Sequence, residues 1–111
     1  MLKLILADDE EMIRESIRAL IDWNSIGVEV VASCKNGPET LQAILTLHPD
    51  IVMTDIKMPG MSGLDLIAEV YNRKDLMTEF ILLSGYADFE YAKQAITYRV
   101  SNYLLKPCNE N

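Results

Sequence analysis

The chain has 111 residues, with 10 Lys and Arg against 17 Asp and Glu, for a formal charge of −7. That length fits one domain, and a half-hydrophobic composition is enough for a core and unlike that of a disordered chain. The acidic balance argues against binding nucleic acid unaided, because phosphate binding relies on Lys and Arg, and no apolar run approaches the ~20 residues a membrane span needs.

Leu2–Ala7, followed at once by Asp8-Asp9-Glu10-Glu11, reads as a first strand and is too short and too acidic at its end for a signal peptide. Ile13, Ile17, Leu20 and Ile21 then repeat at helical spacing. Val28–Ser33 is the second strand, and Cys34-Lys35-Asn36 reads as an ordinary loop. Gly37-Pro38 opens a second helix carrying Leu41, Ile44 and Leu45, with Pro in its first turn. His48, the sole histidine, stands before Pro49 at the end of that helix and reads as a C-terminal cap. Asp50–Thr54 is the third strand. Ser62 with Asp65 three residues on is a capping-box signature for a third helix with Leu64, Ile67, Ala68 and Tyr71. Glu79–Leu83 is the fourth strand, Phe89, Ala92, Ala95 and Ile96 form a fourth helical stripe behind Asp88 as N-cap, and Ser101–Leu105 is the fifth strand. Trp23, Tyr86, Tyr91 and Tyr98 are expected to pack in or against the core. Cys34 and Cys108 form neither a disulfide framework nor metal-ligand spacing and are expected as reduced thiols of a cytoplasmic protein.

Nearly continuous apolar strands alternating with amphipathic helices predict an α/β fold: a doubly wound five-stranded parallel sheet with helices on both faces. Only Lys106–Asn111 follow the last strand. The expectation is therefore one domain over residues 1–111, truncated before its final helix.

In such sheets ligands bind beyond the carboxyl ends of the strands. There the sequence puts Asp8-Asp9 after strand one, Asp55 after strand three, Ser84 after strand four and Lys106 after strand five. If strands one and three are neighbours, as in the flavodoxin-like order 2-1-3-4-5, the three aspartates converge. Two carboxylates ~4 Å apart repel by roughly 4 kcal/mol at an effective dielectric near 20, so such a cluster binds a cation, pairs with Lys106 or holds a proton. All-oxygen ligation by few protein groups suits Mg2+. Mg2+ beside a carboxylate and a lysine is equipment for phosphoryl transfer with the carboxylate as acceptor. Taken singly, each residue has an ordinary explanation as a turn, helix-end or surface group; together on one sheet edge they form a constellation.

These residues, in this order, resemble the receiver domains of bacterial two-component response regulators. The likeness is carried by Asp8-Asp9, by Asp55 with Met58-Pro59-Gly60-Met61-Ser62-Gly63, by Ser84, and by Tyr103 three residues before Lys106-Pro107. The resemblance implies that Asp55 is the phosphoacceptor, and that Asp9 and Asp55 ligate Mg2+ with the backbone carbonyl of Lys57, Asp8 acting through water. It implies that Lys106 pairs with the phosphoryl group and is joined to Pro107 by a cis peptide, and that Ser84 and Tyr103 form the switch pair. The donor would be a sensor histidine kinase, and a homodimer through the fourth helix and fifth strand is among the implied partners. Leu20-Ile21-Asp22-Trp23-Asn24-Ser25-Ile26-Gly27 and Leu83–Ala92 resemble receivers joined to AraC-type DNA-binding domains. DNA would thus be reached only through a C-terminal domain absent from this chain. Lys57 and Tyr86, each two residues beyond a site residue, are expected to shield the phosphoryl group from water and slow its hydrolysis.

The implied function is a phosphorylation-dependent signalling switch rather than a turnover enzyme. One alternative is a degenerate receiver acting as a scaffold, but the acidic pair, Asp55 and Lys106 are all retained. An Mg2+-dependent aspartyl-phosphate phosphohydrolase resembling haloacid dehalogenases needs an acid two residues after the nucleophile, where this chain has Lys57. No glycine-rich phosphate loop follows any strand, which argues against a nucleotide-binding fold.

Overall fold

The alternating pattern becomes five strands and three described helices in a computed structural model that describes residues 1–73, 75–84 and 100–105. The strands are β1 (Leu2–Ala7), β2 (Val28–Cys34), β3 (Ile51–Asp55), β4 (Glu79–Ser84) and β5 (Val100–Leu105). The helices are α1 (Glu11–Leu20), α2 (Gly37–Leu47) and α3 (Gly63–Tyr71), with a short 3-10 turn over Trp23–Ile26. All strand pairings are parallel, in the order β2-β1-β3-β4-β5, which is the expected flavodoxin-like sheet.

Successive residues of a strand point to opposite faces, and the core divides accordingly. Ile5 and Ala7 join Val52, Phe80 and Leu82 on the face covered by Ile44 of α2 and by Leu66, Ile67 and Val70 of α3. Leu4 and Leu6 join Met53 and Leu83 on the other face, under Ile17 of α1, with Trp23 packed against them. Both faces are therefore buried, which explains why the strands read as apolar runs without alternation.

The helix ends follow local chemistry. Ser62 Oγ accepts the Asp65 N–H at 3.1 Å and the Asp65 carboxylate accepts the Ser62 N–H at 3.3 Å, completing the capping box. His48 closes α2 in the left-handed region (φ 48°), its N–H donating to Ile44 O, as a C-terminal cap should. Asn36, read as plain loop, is the N-cap of α2: its Oδ1 accepts the Glu39 N–H at 2.7 Å.

Four expectations shift. Cys34 is the buried last residue of β2 rather than a loop residue. Asp50 lies outside β3 and instead accepts the Lys3 N–H at 2.8 Å, tying the opposite sheet edge. Leu20 is 49% exposed, because α1 ends there and turns its core contact over to Ile17. In α3 Ile67 is buried and Leu64 packs on the core as expected, but Leu66 and Val70 complete the buried face while Tyr71 is 52% exposed. The expected fourth helix, with Asp88, Phe89, Ala92, Ala95 and Ile96, lies outside the described residues, as do Tyr86, Tyr91, Tyr98 and Cys108.

Candidate functional site

Strand register brings the candidate residues to one edge. Ala7 pairs with Thr54 of β3 and with Cys34 of β2, so Asp8 and Asp55 are the next residues out on adjacent strands, about 4.8 Å apart across the sheet. Asp55 in turn pairs with Leu83, and Ser84 with Leu105. The backbones of Asp8, Asp55 and Ser84 therefore line the carboxyl edge, and Tyr103 sits on β5 opposite Leu82. Lys106 and Pro107, and with them the expected cis peptide, lie outside the described residues.

Burial separates the acids. Asp8 is 1% and Asp55 5% exposed, unusual for carboxylates, whereas Asp9 and Glu10 are exposed. Asp8 is held by its backbone N–H, which donates to Cys34 O at 3.0 Å, and by Oδ1, which accepts the Glu10 N–H at 2.9 Å. That turn leads directly into α1, whose N-cap Glu10 makes no side-chain cap bond. Asp55 Oδ1 accepts the Ile56 N–H at 2.8 Å. Thr54, fully buried, directs its hydroxyl at Asp55 O (3.0 Å) and Met58 Sδ (3.8 Å), fixing the start of the β3–α3 loop. Lys57, in that loop, is exposed.

The loop is anchored by close backbone packing. Gly63 N–H donates to Ile56 O at 2.6 Å, and a Cβ added at Gly63 would stand 2.2 Å from Asp55 O. Gly60 turns the loop with φ 81°, a conformation that favours glycine. Gly37 N–H donates to Pro59 O at 3.4 Å and a Cβ there would stand 2.2 Å from Met61 O, so the loop also rests on the start of α2.

Carboxylate oxygens of Asp8, Asp9 and Glu10 all lie within 4.8 Å of one another. The sequence groups Asp8 and Asp9 with Asp55; among the described residues the tight cluster holds Asp8, Asp9 and Glu10, and Asp55 Oδ1 accepts the Ile56 N–H. The donor set is all oxygen and anionic, which fits a hard divalent cation such as Mg2+ better than a softer metal. Two residues escaped the sequence reading: Glu10, and Arg14, whose guanidinium donates to Asp8 O at 2.6 Å and to Ser33 Oγ at 2.9 Å. The available signal was position, since Arg14 adjoins the Ile13/Ile17 stripe on the inward side of α1.

The Cys34 thiol lies beside this edge. Burial raises its pKa above the ordinary 9.0, and the charge of Glu39 adds to that, while a hydrogen bond with Thr40 and the charge of Arg14 oppose it.

A flavodoxin-like parallel sheet with buried aspartates on adjacent strand ends and an acidic cluster beside them defines an α/β domain with an acidic site at its switch-point edge. The chain belongs to the response regulator receiver domains: the model of that family matches residues 4–111. It is 47% identical over 110 residues to the transcriptional regulatory protein YesN of Bacillus subtilis, covering 99% of this chain and 30% of that protein. It is 39% identical over 107 residues to the transcriptional regulatory protein HptR of Staphylococcus aureus, covering 96% of this chain and 41% of that one. The chain thus spans less than half the length of these relatives. Among solved structures, the receiver domain of the response regulator AraT from Geobacillus stearothermophilus superposes with a TM-score of 0.91 at 41% identity, covering 97% of this chain and 83% of that one. A two-component AraC regulator from Clostridium phytofermentans gives 0.87 at 30% identity, with 98% and 84% covered. Among the described residues, no helix is long and apolar enough to cross a membrane.

Proposed function

We infer that this receiver domain accepts a phosphoryl group on Asp55 from a sensor histidine kinase and changes its interaction surface in response. The observation that carries this reading is the pairing of Ala7 with Thr54, which sets two buried aspartates, Asp8 and Asp55, side by side at the carboxyl edge. An Asp55 carboxylate oxygen attacks phosphorus of the donor's phosphoryl group, the bond from phosphorus to the donor atom breaks, and an aspartyl phosphate forms. Asp9 and Asp55 would hold Mg2+ together with the Lys57 carbonyl, Asp8 acting through water. Bound there, Mg2+ supplies charge neutralisation between the carboxylates and the incoming phosphoryl oxygens.

The residues around Asp55 have separable tasks. Thr54 and the Gly63–Ile56 bond hold its backbone, and Lys57, exposed in the same loop two residues on, limits access of water to the aspartyl phosphate. Lys106 pairs with the phosphoryl oxygens and Ser84 hydrogen-bonds one of them. Phosphorylation adds up to two negative charges and three acceptor oxygens, so these contacts exist only in the phosphorylated state. That difference biases the domain between two packings, with Tyr103 turning inward in the second.

The relatives' names support an output in transcription. In this reading that output runs through a C-terminal DNA-binding domain, with a homodimer through the fourth helix and fifth strand on the path. The domain acts in the cytoplasm as a switch that assists only its own phosphorylation and dephosphorylation. The test is incubation with Mg2+ and a small-molecule phosphodonor, followed by intact mass. One phosphoryl adduct in the wild type, dependent on Mg2+ and absent from Asp55→Asn, is expected. No adduct in a wild type that still binds Mg2+ would replace this reading with that of an interaction scaffold.

A further inference from the structure

Asp8 is fixed at three points, and the third does not come from its own loop. Its N–H is bonded to Cys34 O and its Oδ1 to the Glu10 N–H; its carbonyl accepts Nη1 of Arg14 at 2.6 Å. The same guanidinium sends Nε to Ser33 Oγ at 2.9 Å. One planar group therefore joins α1, the end of β1 and the end of β2. A surface arginine on a helix is ordinarily solvated, but Arg14 is half-buried and both bonds are long-range or cross-element. The Asp8 carbonyl is where the chain leaves the sheet, and the next two residues carry the rest of the acidic cluster.

We propose that Arg14 is a positioning residue for the cation site: its two-pronged contact sets the β1–α1 turn so that the carboxylates of Asp8 and Asp9 stay turned toward the ion. The inference rests on the reading of this edge as an Mg2+ site. Two effects of Arg14 oppose each other. Its positive charge repels a cation, whereas its hydrogen bonds hold the ligands in place before the ion arrives. Charge-assisted bonds of this length are strong and geometrically specific, and the charge is directed onto the carbonyl and Ser33, so positioning dominates. Lysine keeps the charge but carries its donors on a single nitrogen, without the separated Nε and Nη1 positions that the two acceptors engage.

The test is an Mg2+ titration of the 111-residue chain, followed by calorimetry and by the backbone amide NMR shifts of residues 8–11. Wild type, Arg14→Gln, Arg14→Lys, Asp9→Asn and Ile44→Val are compared, with melting in chelator as the measure of stability. Removal of a residue that orients metal ligands typically weakens metal binding by about 10- to 100-fold; roughly tenfold is expected for both Arg14→Gln and Arg14→Lys. Ile44→Val, a core change in α2, is expected to lower stability and keep wild-type affinity. Wild-type affinity in Arg14→Lys would show that charge alone suffices and overturn the proposal, as would unchanged or tighter binding in Arg14→Gln. Equal weakening in Ile44→Val would reduce the effect to general destabilisation and overturn it too. If the wild type takes up no Mg2+, or Asp9→Asn binds it equally well, the site reading itself fails and this inference falls with it.

Discussion

Gly63→Ala probes the link between loop packing and the phosphoacceptor. The new Cβ would stand 2.2 Å from Asp55 O, 3.1 Å from Ile56 Cα and 3.2 Å from Asp55 C, all backbone atoms that no rotamer change can move aside. Restoring a tolerable contact of 3.0 Å requires a backbone displacement of about 0.8 Å, borne by Asp55 itself or by the first turn of α3. Overpacking of this kind costs about 1–3 kcal/mol, and relief of glycine's entropy returns about 0.5–1 kcal/mol. A net loss of about 1 kcal/mol lowers Tm by roughly 5 °C in a domain of this size. Because a displacement near 1 Å at a reacting group can slow reaction by about 100-fold, phosphorylation should fall by roughly tenfold or more. The assay is thermal melting alongside the rate of phosphoryl uptake by mass spectrometry. Gly27→Ala is the control: it carries a positive φ, 77°, which Gly63 does not, and its Cβ would meet nothing within 4 Å. That variant should lose about 1–2 kcal/mol from backbone strain and phosphorylate at the wild-type rate. A Gly63→Ala protein that melts with the wild type, or is destabilised yet phosphorylates normally, would refute the reasoning.

Two further outcomes follow from local chemistry. Asn36→Ala removes the acceptor for the Glu39 N–H and should cost about 1 kcal/mol, read as a drop in urea midpoint with unchanged slope. Cys34, its pKa raised by burial, stays protonated in the folded chain at pH values where the unfolded thiol ionises. Stability from this residue is therefore fully present below the ordinary pKa of 9.0 and is lost as pH rises above it toward the folded value. The stability advantage of wild type over Cys34→Ala should be constant through neutral pH and shrink above about pH 9; an advantage that grows with pH would contradict the sign.

What could be read from the sequence was what local pattern controls. The apolar runs became the strands because burial on both faces leaves no polar alternation, and Ser62/Asp65 and His48 capped their helices because those bonds are made within a turn. The site was readable as strand-end residues, since a parallel sheet brings such ends together whatever the loops do. The rest depended on where backbone groups go. Arg14 finds a carbonyl six residues back and a hydroxyl on the next strand, neither of which spacing reveals. Glu10 joins Asp8 and Asp9 because its N–H is bonded to Asp8 Oδ1 in the β1–α1 turn, a closeness that strand ends alone do not reveal. Asn36 reads as loop although its residue type suits an N-cap; what the sequence does not show is the β-region backbone that aims its side chain at the Glu39 N–H. The α3 face is legible in part: Ile67 is buried and Leu64 packs on the core, but the buried side centres on Leu66 and Val70, leaving Tyr71 exposed.

The central claim is that Asp55, among the aspartates gathered at this edge, receives the phosphoryl group. The direct measurement is to phosphorylate the chain with Mg2+ and a small-molecule donor, reduce the acyl phosphate with borohydride, and locate the resulting homoserine by tandem mass spectrometry. Homoserine at position 55 alone, with none at 8 or 9, is the predicted result. Conversion at Asp8 or Asp9, or a phosphoryl group retained on a hydroxyl after reduction, would contradict it.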